Sequence, residues 1–141
     1  MNKILLSIIV SVVTLSSCVK ENTPTMPVDI PVDTSMAVSR FSGTFGNGPY
    51  GAVTGAARIF LQNNGQYVLA LENFMSSNGP DLHVYISKEV QPVNYFDLGR
   101  LQSVSGNQLY PLSGNINFSE YKYALIHCQR YNHLFGSAEL K

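Results

Sequence analysis

The sequence has no tryptophan, two cysteines and few charges: Asp, Glu, Lys and Arg make up 13% of it and cancel to zero at pH 7. Each scarcity removes a class of function. A neutral chain without a basic patch lacks the electrostatic footprint that a phosphate backbone demands, which argues against nucleic acid as a partner. The two cysteines form neither C-x-x-C nor C-x-x-C-H, so covalent c-type haem is excluded. The three histidines, His83, His127 and His133, have no i, i+2 or i, i+4 pairing and no H-E-x-x-H setting. They read as solvent-exposed or singly hydrogen-bonded side chains, and no metal site is assigned to them. There is no G-x-S-x-G elbow and the carboxylates are scattered, so hydrolytic chemistry has no nucleus and the chain reads as a non-enzyme rather than an enzyme. The one long apolar run, Ile4 to Leu15, is shorter than the roughly 20 residues a membrane-spanning helix needs.

That short run has another use. Met1-Asn2-Lys3, the apolar segment and the small residues after it have the layout of a secretory signal. Leu15-Ser16-Ser17-Cys18 resembles the lipobox of bacterial lipoproteins, which implies cleavage before Cys18 and acylation of its thiol. Residues 1–17 are then a lipoprotein signal peptide, and Cys18 is the lipidation site. Each buried methylene of the acyl chains adds about 0.8 kcal/mol of membrane affinity, so the membrane becomes a partner with no spanning helix. This places the protein outside the cytoplasm in the bacterial cell envelope, at the outer membrane or the surface. It also leaves Cys128 as the one thiol, with no disulfide. Residues 18–39 carry Pro24, Pro27 and Pro31 without a sustained apolar period and read as a flexible tether.

Residues 40–141 form the candidate domain. Short runs of Val, Ile, Leu, Tyr and Phe recur about every ten residues between turn signals, which predicts an all-β fold, an antiparallel β-sandwich of about eight strands. The expected strands are Arg40 to Phe45, Val53 to Gln62, Gln66 to Phe74, Leu82 to Ser87, Leu98 to Gln102, Gln108 to Leu112, Lys122 to Gln129 and Leu134 to Leu140. Asn63-Asn64-Gly65 suits a hairpin turn. Leu82, Val84 and Ile86 alternate with His83, Tyr85 and Ser87, as in a half-buried strand. Two signals point elsewhere. Gly46-Asn47-Gly48-Pro49-Tyr50-Gly51 matches the G-x-G-x-x-G dinucleotide fingerprint, but Val53, Thr54 and Gly55 are weak helix formers, and a glycine-rich turn between strands is the better reading. Tyr121, Ala124, Leu125 and Cys128 have the i, i+3, i+4, i+7 spacing of a helix face, and periodicity alone does not choose between helix and strand there.

Three ordered motifs bear on the choice. They are Asn73-Phe74 with Asn78-Gly79-Pro80-Asp81-Leu82-His83-Val84-Tyr85-Ile86-Ser87; Leu98-Gly99-Arg100-Leu101 with Gly106-Asn107-Gln108 and Tyr110-Pro111-Leu112; and Tyr121, Ile126, Cys128 with Phe135-Gly136-Ser137-Ala138-Glu139-Leu140. This series resembles the DM-thirteen domain, an extracellular module found in animal surface proteins and bacterial lipoproteins. The resemblance implies a β-sandwich in which Cys128 lies on a strand. It also implies electron transfer, with the family's cysteine acting as a redox thiol or holding a prosthetic group, a role that falls here on Cys128. Pro49-Tyr50-Gly51-Ala52 stands where many members have a histidine, and His127 stands where many have an aromatic residue.

Cys128 is therefore read in three ways: a small core hydrophobe, a redox thiol, or a ligand to a metal or haem. In a strand its side chain and that of His127 point to opposite faces, so the two are not co-ligands. Met75 with a histidine is a second way to hold haem. Asp81 is expected to accept backbone N–H bonds in the Gly79-Pro80 turn, with ligand or cation binding as the alternative. Gly136 and Ala138 are expected to allow close packing of the last strand. Eight tyrosines exceed what a small core needs, so some should be exposed. Two functions follow: electron transfer through Cys128 with an extracytoplasmic redox partner, or a non-catalytic binding or adhesion module with Cys128 inert. The first needs an accessible thiol beside a cation or cavity; the second needs a buried one.

Overall fold

A computed structural model describes residues 22–31, 33 and 37–141; the segment read as a signal peptide and Cys18 lie outside the described residues. Among the described residues there are ten strands: β1 (Val28–Asp29), β2 (Ala37–Thr44), β3 (Gly46–Asn47), β4 (Val53–Gln62), β5 (Tyr67–Ser76), β6 (Leu82–Ser87), β7 (Tyr95–Arg100), β8 (Ser105–Leu112), β9 (Tyr123–Cys128) and β10 (His133–Glu139). They form two five-stranded sheets, in the orders β1-β8-β5-β4-β2 and β3-β10-β9-β6-β7. Every pairing is antiparallel except β1 with β8. The all-β sandwich expected from the spacing is the observed fold, with two short strands added to the eight.

Local chemistry accounts for the joints. The β4–β5 hairpin closes at Asn63-Asn64-Gly65, where Gly65 takes φ +81° and the Gln62 N–H donates to the Gln66 carbonyl. Residues 123–128 are β9, so the helical spacing around Cys128 was a coincidence of core positions: Ala124, Ile126 and Cys128 face inward at the period of two. The glycine-rich segment supplies β3 and a turn, and Gly46–Asn47 pairs with β10 rather than opening a helix.

The inner faces meet in one core. The first sheet contributes Val53, Ala57, Ile59, Leu69, Leu71, Phe74, Tyr110 and Leu112; the second contributes Leu82, Val84, Ile86, Ala124, Ile126, Cys128, Phe135 and Ala138. Strand β6, between β9 and the edge strand β7, departs from expectation: all six of its residues are buried, His83, Tyr85 and Ser87 included. Aromatic side chains from β7 and β9 roof its outer face.

The segment read as a flexible tether belongs in part to the fold. Thr23 is buried, and its backbone N–H and hydroxyl both donate to the Gly79 carbonyl, at 3.3 and 3.2 Å. The Val104 N–H donates to the Pro24 carbonyl at 2.9 Å, and the Ser103 hydroxyl to the Met26 carbonyl at 2.6 Å. β1 then runs parallel to β8, with Val28 opposite Gly106. Gly106 has φ +101°, and the Val28 carbonyl occupies the space a β-carbon would fill. A side chain at 106 would exclude β1.

Candidate functional site

Cys128 ends β9, facing Leu82 of β6 and His133 of β10 in register. It is unpaired and 1% exposed, in the apolar cluster that includes Leu82, Phe135 and Val53. The two cations nearest in sequence do not serve it. Lys122 reaches Glu139 at 3.7 Å on the surface, and Arg130 is exposed in the β9–β10 turn. Two concavities, of about 700 and 420 Å³, are lined by other residues. The residues present therefore do not fit a haem or metal held by Cys128. Met75, the other sulfur ligand considered for haem, is 62% exposed on β5. Among the described residues, no three His, Cys, Asp or Glu side chains converge as a metal site.

His127 points the other way, as strand geometry requires. It is 3% exposed, and neither ring nitrogen completes a hydrogen bond, although the Asn132 side chain lies near. Burial holds its imidazole below the usual histidine range, and His133 and His83 add to the effect. Its ring lies over Tyr85 at 5.3 Å, and Tyr95 covers the other side of Tyr85 at 4.3 Å. The stack runs from exposed Tyr95 to two buried rings. Burial, then Asp97, pushes the Tyr85 phenol well above its ordinary range.

His83 sits beside this stack, opposite His127 in register. Its Nδ1 is 3.0 Å from both oxygens of Asp97, and its Nε2 is 3.5 Å from Asp81 Oδ1. Arg100 approaches the same Asp81 oxygen at 3.2 Å. The Asp81 carboxylate thus faces an imidazole and a guanidinium, not the backbone of the Gly79-Pro80 turn; Asn78 caps that turn by accepting the Gly79 N–H at 2.7 Å. The expected exposed or singly bonded histidines are corrected accordingly: His83 bridges two carboxylates, His127 is buried, and half-buried His133 stacks on Tyr50 at 3.7 Å.

The motif glycines are structural. A β-carbon on Gly136 would meet Val53 and the Gly46 carbonyl, and one on Gly79 would meet Leu82 and Phe135. Pro80 borders the smaller concavity. Sequence reasoning missed the Asp81–Arg100 and His83–Asp97 pairs. The available signal was that Asp81 and Arg100 belong to two separate motifs, which an ion pair across β6 and β7 would connect.

A small antiparallel sandwich with an unpaired core thiol and a roofed histidine–tyrosine face defines a compact β module. The model of the family described as Electron transfer DM13 matches residues 44–140, more than half of the chain's 141 residues, and the chain belongs to that family. No curated protein and no solved structure matches it.

Proposed function

We propose that the protein is an envelope lipoprotein, anchored outside the cytoplasm by acylated Cys18, whose DM13 domain acts as a binding module with Cys128 as a core residue. One observation carries the second half: Cys128 is 1% exposed among apolar side chains. A working redox thiol needs thiolate character and access, which partly exposed electropositive surroundings supply. The anchor half is supported by the basic start, the apolar run and Leu15-Ser16-Ser17-Cys18. For binding, the larger concavity offers Gln62, Gln66, Tyr67, Ser113 and Asn115 and no charged side chain, which suits a neutral, hydroxyl-rich ligand. Thiol titration and an absorbance spectrum of the mature protein test the reading. Reaction only after denaturation and no visible chromophore are expected; a fast native thiol or a chromophore would overturn it.

A second reading keeps electron transfer and moves it off the thiol, and the Tyr95–Tyr85–His127 stack is what favours it. An external high-potential one-electron oxidant takes one electron from Tyr85, and the phenolic proton leaves along its hydrogen bond to the hydroxyl of exposed Tyr95 and from there to solvent water. Photo-oxidation with a ruthenium polypyridyl should then give a tyrosyl radical signal that Tyr85→Phe reduces, with exposed Tyr50, Tyr95 and Tyr131 supplying the remainder. An unchanged signal in that variant removes this reading.

A further inference from the structure

The N-terminal segment fixes which end of the sandwich faces the membrane. Asn22 is four residues beyond Cys18, so it lies at most about 14 Å along the chain from the lipid-bearing residue. From Thr23 onward the chain is bound to the domain: by Gly79 and Asn78, by Ser103 and Val104, and then by pairing with β8. No long free stretch separates the anchor from the fold.

What lies at that point is suited to a headgroup layer. Asn22, Asn78, Gly79, Pro80, Arg130 and Tyr131 border the concavity of about 420 Å³. Arg130 is exposed and, among the described residues, makes no ion pair. Tyr131 and Tyr50 are 58% and 56% exposed and flank His133 from two directions. Tyrosine rings favour the membrane–water interface, and a guanidinium binds phosphate through paired N–H donors. The larger concavity is at the other end of β5: it includes Tyr67, where β5 begins, whereas Asn78 and Gly79 follow its last residue, Ser76. Ten strand residues separate the two by roughly 30 Å.

We infer that the Asn78–Pro80 and Arg130–Tyr131 loops rest on the headgroups of the anchoring bilayer, with Arg130 binding a lipid phosphate beside Asn22 and Asn78. The neutral groove then opens away from the membrane. This rests on the reading that Cys18 is acylated.

The natural absence of tryptophan makes the test clean. Full mature lipoprotein carrying Tyr131→Trp, or Gln66→Trp at the far end, is reconstituted into phosphatidylethanolamine–phosphatidylglycerol vesicles containing brominated lipid. The expected result is loss of emission from position 131, none from position 66, and recovery at 131 when Arg130→Glu is added. Both substituted positions and Arg130 are exposed, and far-ultraviolet circular dichroism of each variant verifies folding. Flotation with the vesicles, lost in Cys18→Ser, reports the anchor separately. Protein that floats but shows equal or absent quenching at 131 and 66, or quenching at 131 indifferent to Arg130→Glu, overturns the docking proposal and spares the anchor. Protein that does not float overturns both.

Discussion

Replacing Cys128 by alanine and by serine separates a packed thiol from a working one. The side chain is 1% exposed among Leu82, Phe135, Val53 and their neighbours, so Cys128→Ala removes one buried heavy atom and leaves a small void. The transfer loss is about 0.8 kcal/mol, by analogy with a methylene, and incomplete collapse of the void raises the cost to about 1–2 kcal/mol. Cys128→Ser leaves a similar void and buries a hydroxyl in a cluster that is mostly aliphatic and phenylalanine side chains, for a total of about 2–4 kcal/mol. The expected order of urea midpoints is wild type, alanine, serine, with unchanged m-values. The native thiol should react with an aromatic disulfide reagent only through unfolding. Even 5 kcal/mol of stability, the lower end for a domain, slows that reaction by more than about a thousandfold relative to the unfolded chain. Native labelling at a rate close to that of the unfolded chain, or a serine variant as stable as wild type, would refute the core assignment.

Acid should weaken the fold through His127. Its native pKa is lowered by burial, so the unfolded chain takes up a proton first as pH falls below about 6.5, and stability rises with pH across that window. The contribution is complete above about 6.5 and lost downward until the native imidazole also protonates, with a slope of at most about 1.4 kcal/mol per pH unit for one group. His127→Phe should flatten that part of a urea-midpoint profile; an unaltered slope would contradict it. Gly106→Ala should cost about 1–3 kcal/mol and release β1, read as faster amide exchange at Val28 and Asp29 with the rest of the sandwich still protected. Tyr85→Phe should cost about 0.5–1.5 kcal/mol in urea unfolding, because the buried phenol is held by Tyr95 and Gln129; an unchanged midpoint would contradict that.

Strand identity was legible wherever apolar residues alternate between turn formers. Val53–Gln62 and Leu82–Ser87 occur with the expected boundaries. β7 lies three residues earlier at its start than expected, at Tyr95–Arg100 in place of Leu98 to Gln102, because it is an edge strand whose Tyr95, Phe96 and Asp97 are exposed and carry no buried period. The two-residue strands β1 and β3 had no readable period, since their positions depend on Gly106 and on the Gly136–Val53 packing. The opposed faces of His127 and Cys128 followed from strand geometry alone. The burial of His83, Tyr85 and His127 did not, because it depends on Tyr95 reaching across from a neighbouring strand, a contact between residues distant in the chain. The strand at Cys128 was settled by the ordered family motifs and not by local periodicity, which also fits a helix face, while its enclosure required the opposite sheet.

The short parallel strand β1 also has a mechanical meaning. Tension applied from the N-terminal side enters the described fold at Thr23 and loads β1 against β8 before it reaches the long antiparallel pairs. Two strand residues and a few side-chain hydrogen bonds should yield first. Detachment of Thr23 through Asp29 would lengthen the connection by at most about 25 Å with the sandwich still folded. The segment would then work as a force-released extension, so that the reach of the domain depends on load. An optical-trap record of the chain held by handles at its N-terminal end and at Lys141 should show that extension as a discrete step below the unfolding force; a single step that unfolds everything would exclude it.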